Sequence, residues 1–153
     1  MMAFASSLTW LEQQIDQELG VSDWFPIDQR LIDHFSVCTL DNQWIHVDTE
    51  RARRESAYRT TIAHGYLILS LLPHLRKDIP YLPPGVVQSI NYGIDYLRFL
   101  QPVPVDSRIR LRMTLSMLER RGEDLLLKAH QVVDIDGAQR PALVADTLTL
   151  LRF

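Results

Sequence analysis

From Arg108 to Phe153 the sequence keeps a two-residue beat, and that beat limits the possible folds more than any other feature of the chain. Ile109, Leu111, Met113, Leu115 and Met117 alternate with Arg108, Arg110, Arg112, Thr114 and Ser116. After the turn residues Arg121-Gly122-Glu123-Asp124, the beat resumes with Leu125, Leu127, Ala129, Gln131 and Val133. Successive strand side chains point to opposite faces, so each run predicts a strand with one apolar face. Asp136-Gly137 is a hairpin signal, and Ala142 to Phe153 supplies a last strand. Such a meander must bury its apolar face against something else.

The covering element is the stretch from Ile62 to about Arg76. It is almost wholly apolar between Tyr66 and Leu72, which predicts a helix surrounded by other elements rather than laid on a surface. Pro73 should bend it or end it early. Val86 to Phe99, rich in aromatic and β-branched residues, reads as one extended segment before Pro102 and Pro104. Upstream, Leu8, Leu11, Ile15 and Leu19 predict an amphipathic helix over Ser7–Leu19, stopped by Gly20. Asp28 should cap a helix carrying Leu31, Ile32 and Phe35, and Thr49 a short charged helix from Glu50 to about Ala57. The sum is an α+β chain with an antiparallel sheet against one buried helix. It is expected to be a single domain over residues 1–153, with residues 1–20 as an N-terminal helix extension. The first and last strands should form the open edges.

A net charge of −3 lacks the basic surplus that non-specific nucleic-acid binding needs. Cys38 stands alone, so no disulfide framework or cysteine-based zinc site is expected. MMAFASSLTW has no charged n-region and no long apolar stretch, and no run is long enough for a membrane-spanning helix. A soluble, cytoplasmic chain is the expectation.

Two short segments could carry chemistry. Asp41 and His46 lie on the irregular stretch between two helices. A carboxylate and an imidazole that meet can share a water and move its protons in both directions, although Asp is also a common turn residue and His a common core residue. Ile62-Ala63-His64-Gly65-Tyr66 opens the apolar helix. The first N–H groups of a helix lack internal partners, and glycine lets a ligand oxygen approach them closely. Equally, Gly65 could serve only tight packing, and His64 only a cap. His46, Asp48 and His64 have metal-ligand chemistry, but their spacing matches no ligand set, and no metal is expected.

The run Asp41-Asn42-Gln43-Trp44-Ile45-His46-Val47-Asp48, followed by His64 in IAHGY, resembles the MaoC-like dehydratases. Within them it is most similar to the NodN-like branch of the (R)-specific enoyl-CoA hydratases. Asn91-Tyr92-Gly93-Ile94-Asp95, Arg98-Phe99 and Pro102-Val103 resemble that branch's first long strand, and the likeness extends over roughly residues 20 to 150. It implies the hot-dog fold, in which the sheet wraps around a central helix, here Ala63 to about Leu75. It also implies a lyase that reversibly hydrates a trans-2-enoyl thioester to the (R)-3-hydroxyacyl thioester. Asp41 and His46 become the catalytic pair and Gly65 the oxyanion donor. Gln43, Trp44 and His64 become support for the loop, with Trp44 as a wall and His64 positional.

The substrate would be an acyl-CoA or acyl-carrier-protein thioester. No cofactor is implied beyond the CoA thioester itself, and a homodimer is implied, with the site near the subunit interface. All but Lys77 and Lys128 of the sixteen basic residues are Arg, and Arg51, Arg53, Arg54 and Arg59 crowd the segment between the motifs. They suit the phosphates of CoA, or alternatively form a solvated helix face with Glu50 and Glu55. The chain departs from the family pattern at Leu40 and Arg59, where members usually carry glycine. These departures keep open a non-catalytic acyl-thioester binding or assembly subunit, and a hot-dog thioesterase is the other alternative.

Overall fold

The computed structural model describes residues 2–153. In chain order it has helix α1 (Met2–Glu12), short strands β1 (Glu18–Val21) and β2 (Phe25–Ile27), and helix α2 (Gln29–Thr39). Helices α3 (Trp44–Val47), α4 (Thr49–Glu55), α5 (Gly65–Ser70) and α6 (Leu72–Leu75) follow, then strands β3 (Gln88–Phe99), β4 (Ser107–Arg121), β5 (Asp124–Ile135) and β6 (Leu143–Arg152). The six strands form one antiparallel sheet ordered β1-β4-β5-β6-β3, with β2 also on β4. Ile109, Leu111, Met113 and Leu115 of β4 meet Leu125, Leu127, Ala129 and Val133 of β5 in the core with Leu67, Ile68, Leu72 and Leu75 of α5 and α6. No helix among the described residues is long and apolar enough to cross a membrane.

The predicted meander is present, with one slip in its beat. Between Leu115 and Met117 the β4–β5 register shifts, and beyond this bulge it is Leu118, not Met117, that packs on the core. An inserted residue reverses the facing of everything after it.

Other boundaries differ for local reasons. The first helix ends at Glu12 rather than Leu19, because Asp16 turns the chain back at φ 62° and donates its N–H to Leu115 O at 2.7 Å. Leu19 and Gly20 are then strand residues, and Leu11 of α1 is fully buried. Asp28 caps α2 as expected, accepting from Leu31 N–H at 2.8 Å. In α4 the cap is Asp48, which accepts from Arg51 N–H at 2.9 Å, so Thr49 is the first helical residue rather than the cap.

The central helix is split. Residues 62–64 are not helical: Ile62 bridges Pro104, and Ala63 N–H donates to Val103 O at 2.8 Å. Pro73 lacks the N–H that would continue the ladder to Leu69, and α5 gives way to α6 at Leu71. Within this single chain the helix is not surrounded. Its Leu67, Ile68 and Leu72 side is buried, while Tyr66 on the other side is 65% exposed.

Of the two expected edges, the first long strand, β3, is one, but the last strand is not. The last strand, β6, is internal, because β3 pairs along its free side from Gln88↔Arg152 to Phe99↔Leu143. The open edge is therefore β3, where Ile90, Tyr92, Ile94, Tyr96 and Phe99 are all exposed.

Candidate active site

Three segments meet at the start of α5. Helix α2 ends at Thr39 and is capped by Leu40 in the left-handed region at φ 63°, a reversal that leads into Asp41. One turn of helix, α3, then carries His46 inward, so that it is buried while Asp41 stays exposed. The non-helical residues 62–64 bring His64 alongside. Helix α3 is held from behind by Gln29, whose Nε2 donates to His46 O at 2.7 Å and to Asp33 Oδ1 at 2.8 Å. Gln29 Oε1 accepts from the Thr61 hydroxyl at 2.5 Å. Sequence reasoning passed over Gln29, whose only signal is a polar side chain in the first turn of an amphipathic helix.

The hydrogen bonds assign the tautomers. His46 Nδ1 lies 2.7 Å from Ile62 O. A carbonyl can only accept, so Nδ1 carries the proton and Nε2 of the neutral ring holds a lone pair. His64 Nε2 likewise donates to the main-chain O of Asp41 at 2.9 Å, tying down the loop. The two imidazoles stack with centroids 3.8 Å apart and planes at 25°, and His64 Nδ1 is buried without a hydrogen-bond partner. Asp41, His46 and His64 each bring one ligand-capable atom within 4.8 Å of the others. Asp48 is occupied in capping α4, so this grouping replaces the His46, Asp48 and His64 set considered from the sequence.

Burial is the main cause that holds the His46 pKa below its ordinary 6.5. The Ile62 hydrogen bond works against it, stacked His64 adds to it, and Asp41 opposes it. Between the folded and unfolded pKa values the unfolded chain binds more protons. This contribution to stability is therefore complete above pH 6.5 and is lost as pH falls through the folded pKa. The expected result is a lower urea midpoint well below pH 6.5 than above it, with the difference reduced in His46→Gln.

His46 and Gly65 line one cavity of about 300 Å³, together with Ile68, Phe99 and Val103. At Gly65 a Cβ would stand 3.1 Å from the Phe99 ring, so the absent side chain is what allows β3 this close to the start of α5. Asp41 and His64 do not line this cavity. Gln43 is exposed and precedes α3, and Trp44 is half-buried beneath the Arg51 guanidinium, 4.3 Å from its ring centre.

The arginines are partly engaged. Arg51 pairs with Glu55 at 2.8 Å and Arg53 with Glu50 at 3.0 Å, which is the helix-face arrangement and worth only ~0.3–0.5 kcal/mol per exposed pair. Arg59 Nη1 donates to Arg54 O at 3.1 Å. The structure thus unites Asp41, His46, His64 and Gly65, and spreads the four arginines over an exposed neighbouring face.

Leu40 and Arg59, the two departures from the family's glycines, both hold the left-handed conformation, at φ 63° and 57°. The turn is kept and the strain accepted. That conformation costs an L-residue ~1–2 kcal/mol, partly offset because glycine loosens the unfolded chain by ~0.4–1 kcal/mol. Leu40 is 84% exposed and surrenders no packing. Leu40→Gly should raise stability by roughly 0.5–1 kcal/mol. Arg59→Gly should gain less, because its bond to Arg54 is lost. Urea denaturation of the two variants measures both.

Comparison with known proteins bears on the family and the fold. Residues 11–134 match the MaoC like domain family. The chain is 42% identical to Nodulation protein N of Rhizobium leguminosarum bv. viciae, over 96% of this chain and 92% of the relative. It is 41% identical to the 3-hydroxyacyl-thioester dehydratase Z of Mycobacterium tuberculosis, over 86% of this chain and 87% of that one. Its fold superposes on the (R)-hydratase from A. caviae involved in PHA biosynthesis with a TM-score of 0.71, at 20% identity over 88% of this chain and 94% of that one.

Proposed function

This chain belongs to the MaoC-like dehydratase family, with the hot-dog fold and hydratase/dehydratase chemistry that go with it, and we propose that it reversibly hydrates a trans-2-enoyl thioester to the (R)-3-hydroxyacyl thioester. The observation that carries the proposal is a His46 ring with its Nε2 free of the Ile62 bond, lining one cavity with Gly65 and grouped with Asp41. The name of the 41% identical relative, a 3-hydroxyacyl-thioester dehydratase, supports the substrate class.

In the proposed reaction, Asp41 and His46 Nε2 accept the two hydrogens of one water, and its oxygen faces C3 of the enoyl group. As the O–C3 bond forms, His46 takes one proton and the C2=C3 electrons move toward the thioester oxygen. The Gly65 N–H, at the positive end of α5, meets the charge developing there. The proton is then delivered to C2, so atoms and charge balance with no redox partner and no cofactor beyond the thioester. His64 acts by fixing Asp41 through the loop. The left-handed Leu40 and Arg59 preserve the turns that glycine would make, which weakens the case for a non-catalytic relative.

CoA phosphates would be met by Arg54 and Arg59, and by Arg51 and Arg53 once these leave their glutamates. The apolar exposed edge β3 and the open Tyr66 side of α5 favour a homodimer built across them. Sedimentation equilibrium should therefore give twice the chain mass. The direct test of function is crotonyl-CoA mixed with the purified protein. Loss of the conjugated-thioester absorbance without release of free thiol is the expected result; thiol release would mark a thioesterase, and silence in both would end the proposal.

A further inference from the structure

A second cavity, of about 330 Å³, lies between α5–α6 and the β3–β6 pair. Ile68 and Phe99 border the first cavity, and Leu69 and Ile94 the second. At about 3.3 Å per strand residue, Phe99 and Ile94 are roughly 16 Å apart along β3. Leu69, Leu72, Pro73, Ile94 and Leu148 suit methylene groups, and among the polar residues that also line it two are short of partners. Arg76 is only 5% exposed, and its contacts are all neutral: Thr149 Oγ1 at 3.3 Å, Asn91 Oδ1 at 3.0 Å and the Tyr81 ring at 5.0 Å. No ion pair among the described residues includes it. Gln131, fully buried, lines the same cavity with its Oε1 unpartnered while Nε2 donates to Thr147.

A buried cation without a counter-charge and a buried amide without a full set of partners are both costly. Arg76 makes two hydrogen bonds with a guanidinium that has five N–H donors. Turning the Gln131 amide over keeps its contact with Thr147, now with the hydroxyl donating to Oε1, and frees Nε2–H as a further donor. One carboxylate entering the cavity would satisfy both residues.

We infer that this cavity takes the far end of the acyl chain and that this end carries a carboxylate, held by Arg76 and Gln131. The inference rests on the enoyl-thioester reading for the identity of the chain, though not for the binding of the anion.

Two measurements separate these parts. The first is calorimetry with a free medium-chain carboxylate and with the alcohol of equal length, neither of which needs catalysis. Wild type should bind the carboxylate at least tenfold more tightly. Arg76→Met should abolish the gap and Arg76→Lys retain part of it. Gln131→Glu, which leaves Arg76 in place but supplies it with an internal anion, should also abolish it. That variant keeps the test decisive if Arg76→Met fails to fold. The second compares kcat/KM for a medium-chain trans-2-enoyl-CoA ending in a carboxyl with its methyl-ended counterpart. Wild type should favour the carboxyl-ended substrate, and the preference should vanish in Gln131→Glu. Equal binding of carboxylate and alcohol by wild type overturns the cavity assignment whatever the turnover. A carboxylate-selective cavity with no turnover of either thioester would overturn the hydratase reading instead. Preference for the methyl-ended substrate overturns the assigned substrate end.

Discussion

His46→Gln and Asp41→Asn should each slow hydration of crotonyl-CoA by about 10²–10⁴-fold, the range expected when a positioned acid–base group is removed. In His46→Gln the side-chain amide can still donate to Ile62 O, so the one-turn helix α3 keeps its anchor. What disappears is the Nε2 lone pair of a ring that lines the cavity. In Asp41→Asn the main-chain O that accepts from His64 is unchanged, and only the carboxylate is lost. Each variant thus removes a reacting group while leaving the hydrogen bonds that place it. The double variant should be little slower than the worse single one, because groups that act as a unit are not additive. Circular dichroism and urea midpoints close to wild type would assign the loss to chemistry. Full turnover in both singles would refute the mechanism.

The second large effect is expected at Gly65. Its backbone is not left-handed, so alanine meets no conformational penalty there, and as a helix former it is favoured by ~1 kcal/mol. The obstacle is steric: the new Cβ would lie 3.1 Å from Phe99. Either the ring moves into the cavity or the start of α5 moves away from it, and both misplace the proposed oxyanion donor. Gly65→Ala should therefore hold or raise the urea midpoint while kcat falls by ~10²–10³, the cost of losing one such donor. Adding Phe99→Leu should restore much of the rate, since it removes the atoms in conflict. A rate loss that Phe99→Leu does not relieve would separate the steric account from the result. An unchanged rate in Gly65→Ala would remove Gly65 from the oxyanion role.

The sheet was legible because alternation is a local pattern, whereas the proposed Asp41–His46 pair was reached through the family resemblance, its spacing alone being a weak signal. Alternation marked β4 and β5. What escaped depended on distant parts. Gln29 matters because α2 lies behind α3, and nothing near Gln29 in sequence says so. Met117 and Leu118 exchange roles at a bulge whose signal is its pairing with β5. The last strand was misassigned to an edge because β3, although earlier in sequence, docks outside β6. At Leu40 and Arg59 the residue types concealed a backbone that glycine would have announced.

The place of β3 also sets an order of assembly. β4 and β5 close through a two-residue loop at Arg121↔Asp124, and β5 meets β6 across one short connection. β3 can pair only once β6 exists, with Gln88 reaching Arg152 across the whole meander. Closing so long a loop carries an entropy cost that local hairpins avoid. Phe99 arrives with β3, so the wall against Gly65 should be the last part of the cavity to form. During synthesis that wall must wait until β6 at the end of the chain has emerged. In the folded protein, amide hydrogens of β3 should exchange before those of β4 and β5 wherever no second chain protects them.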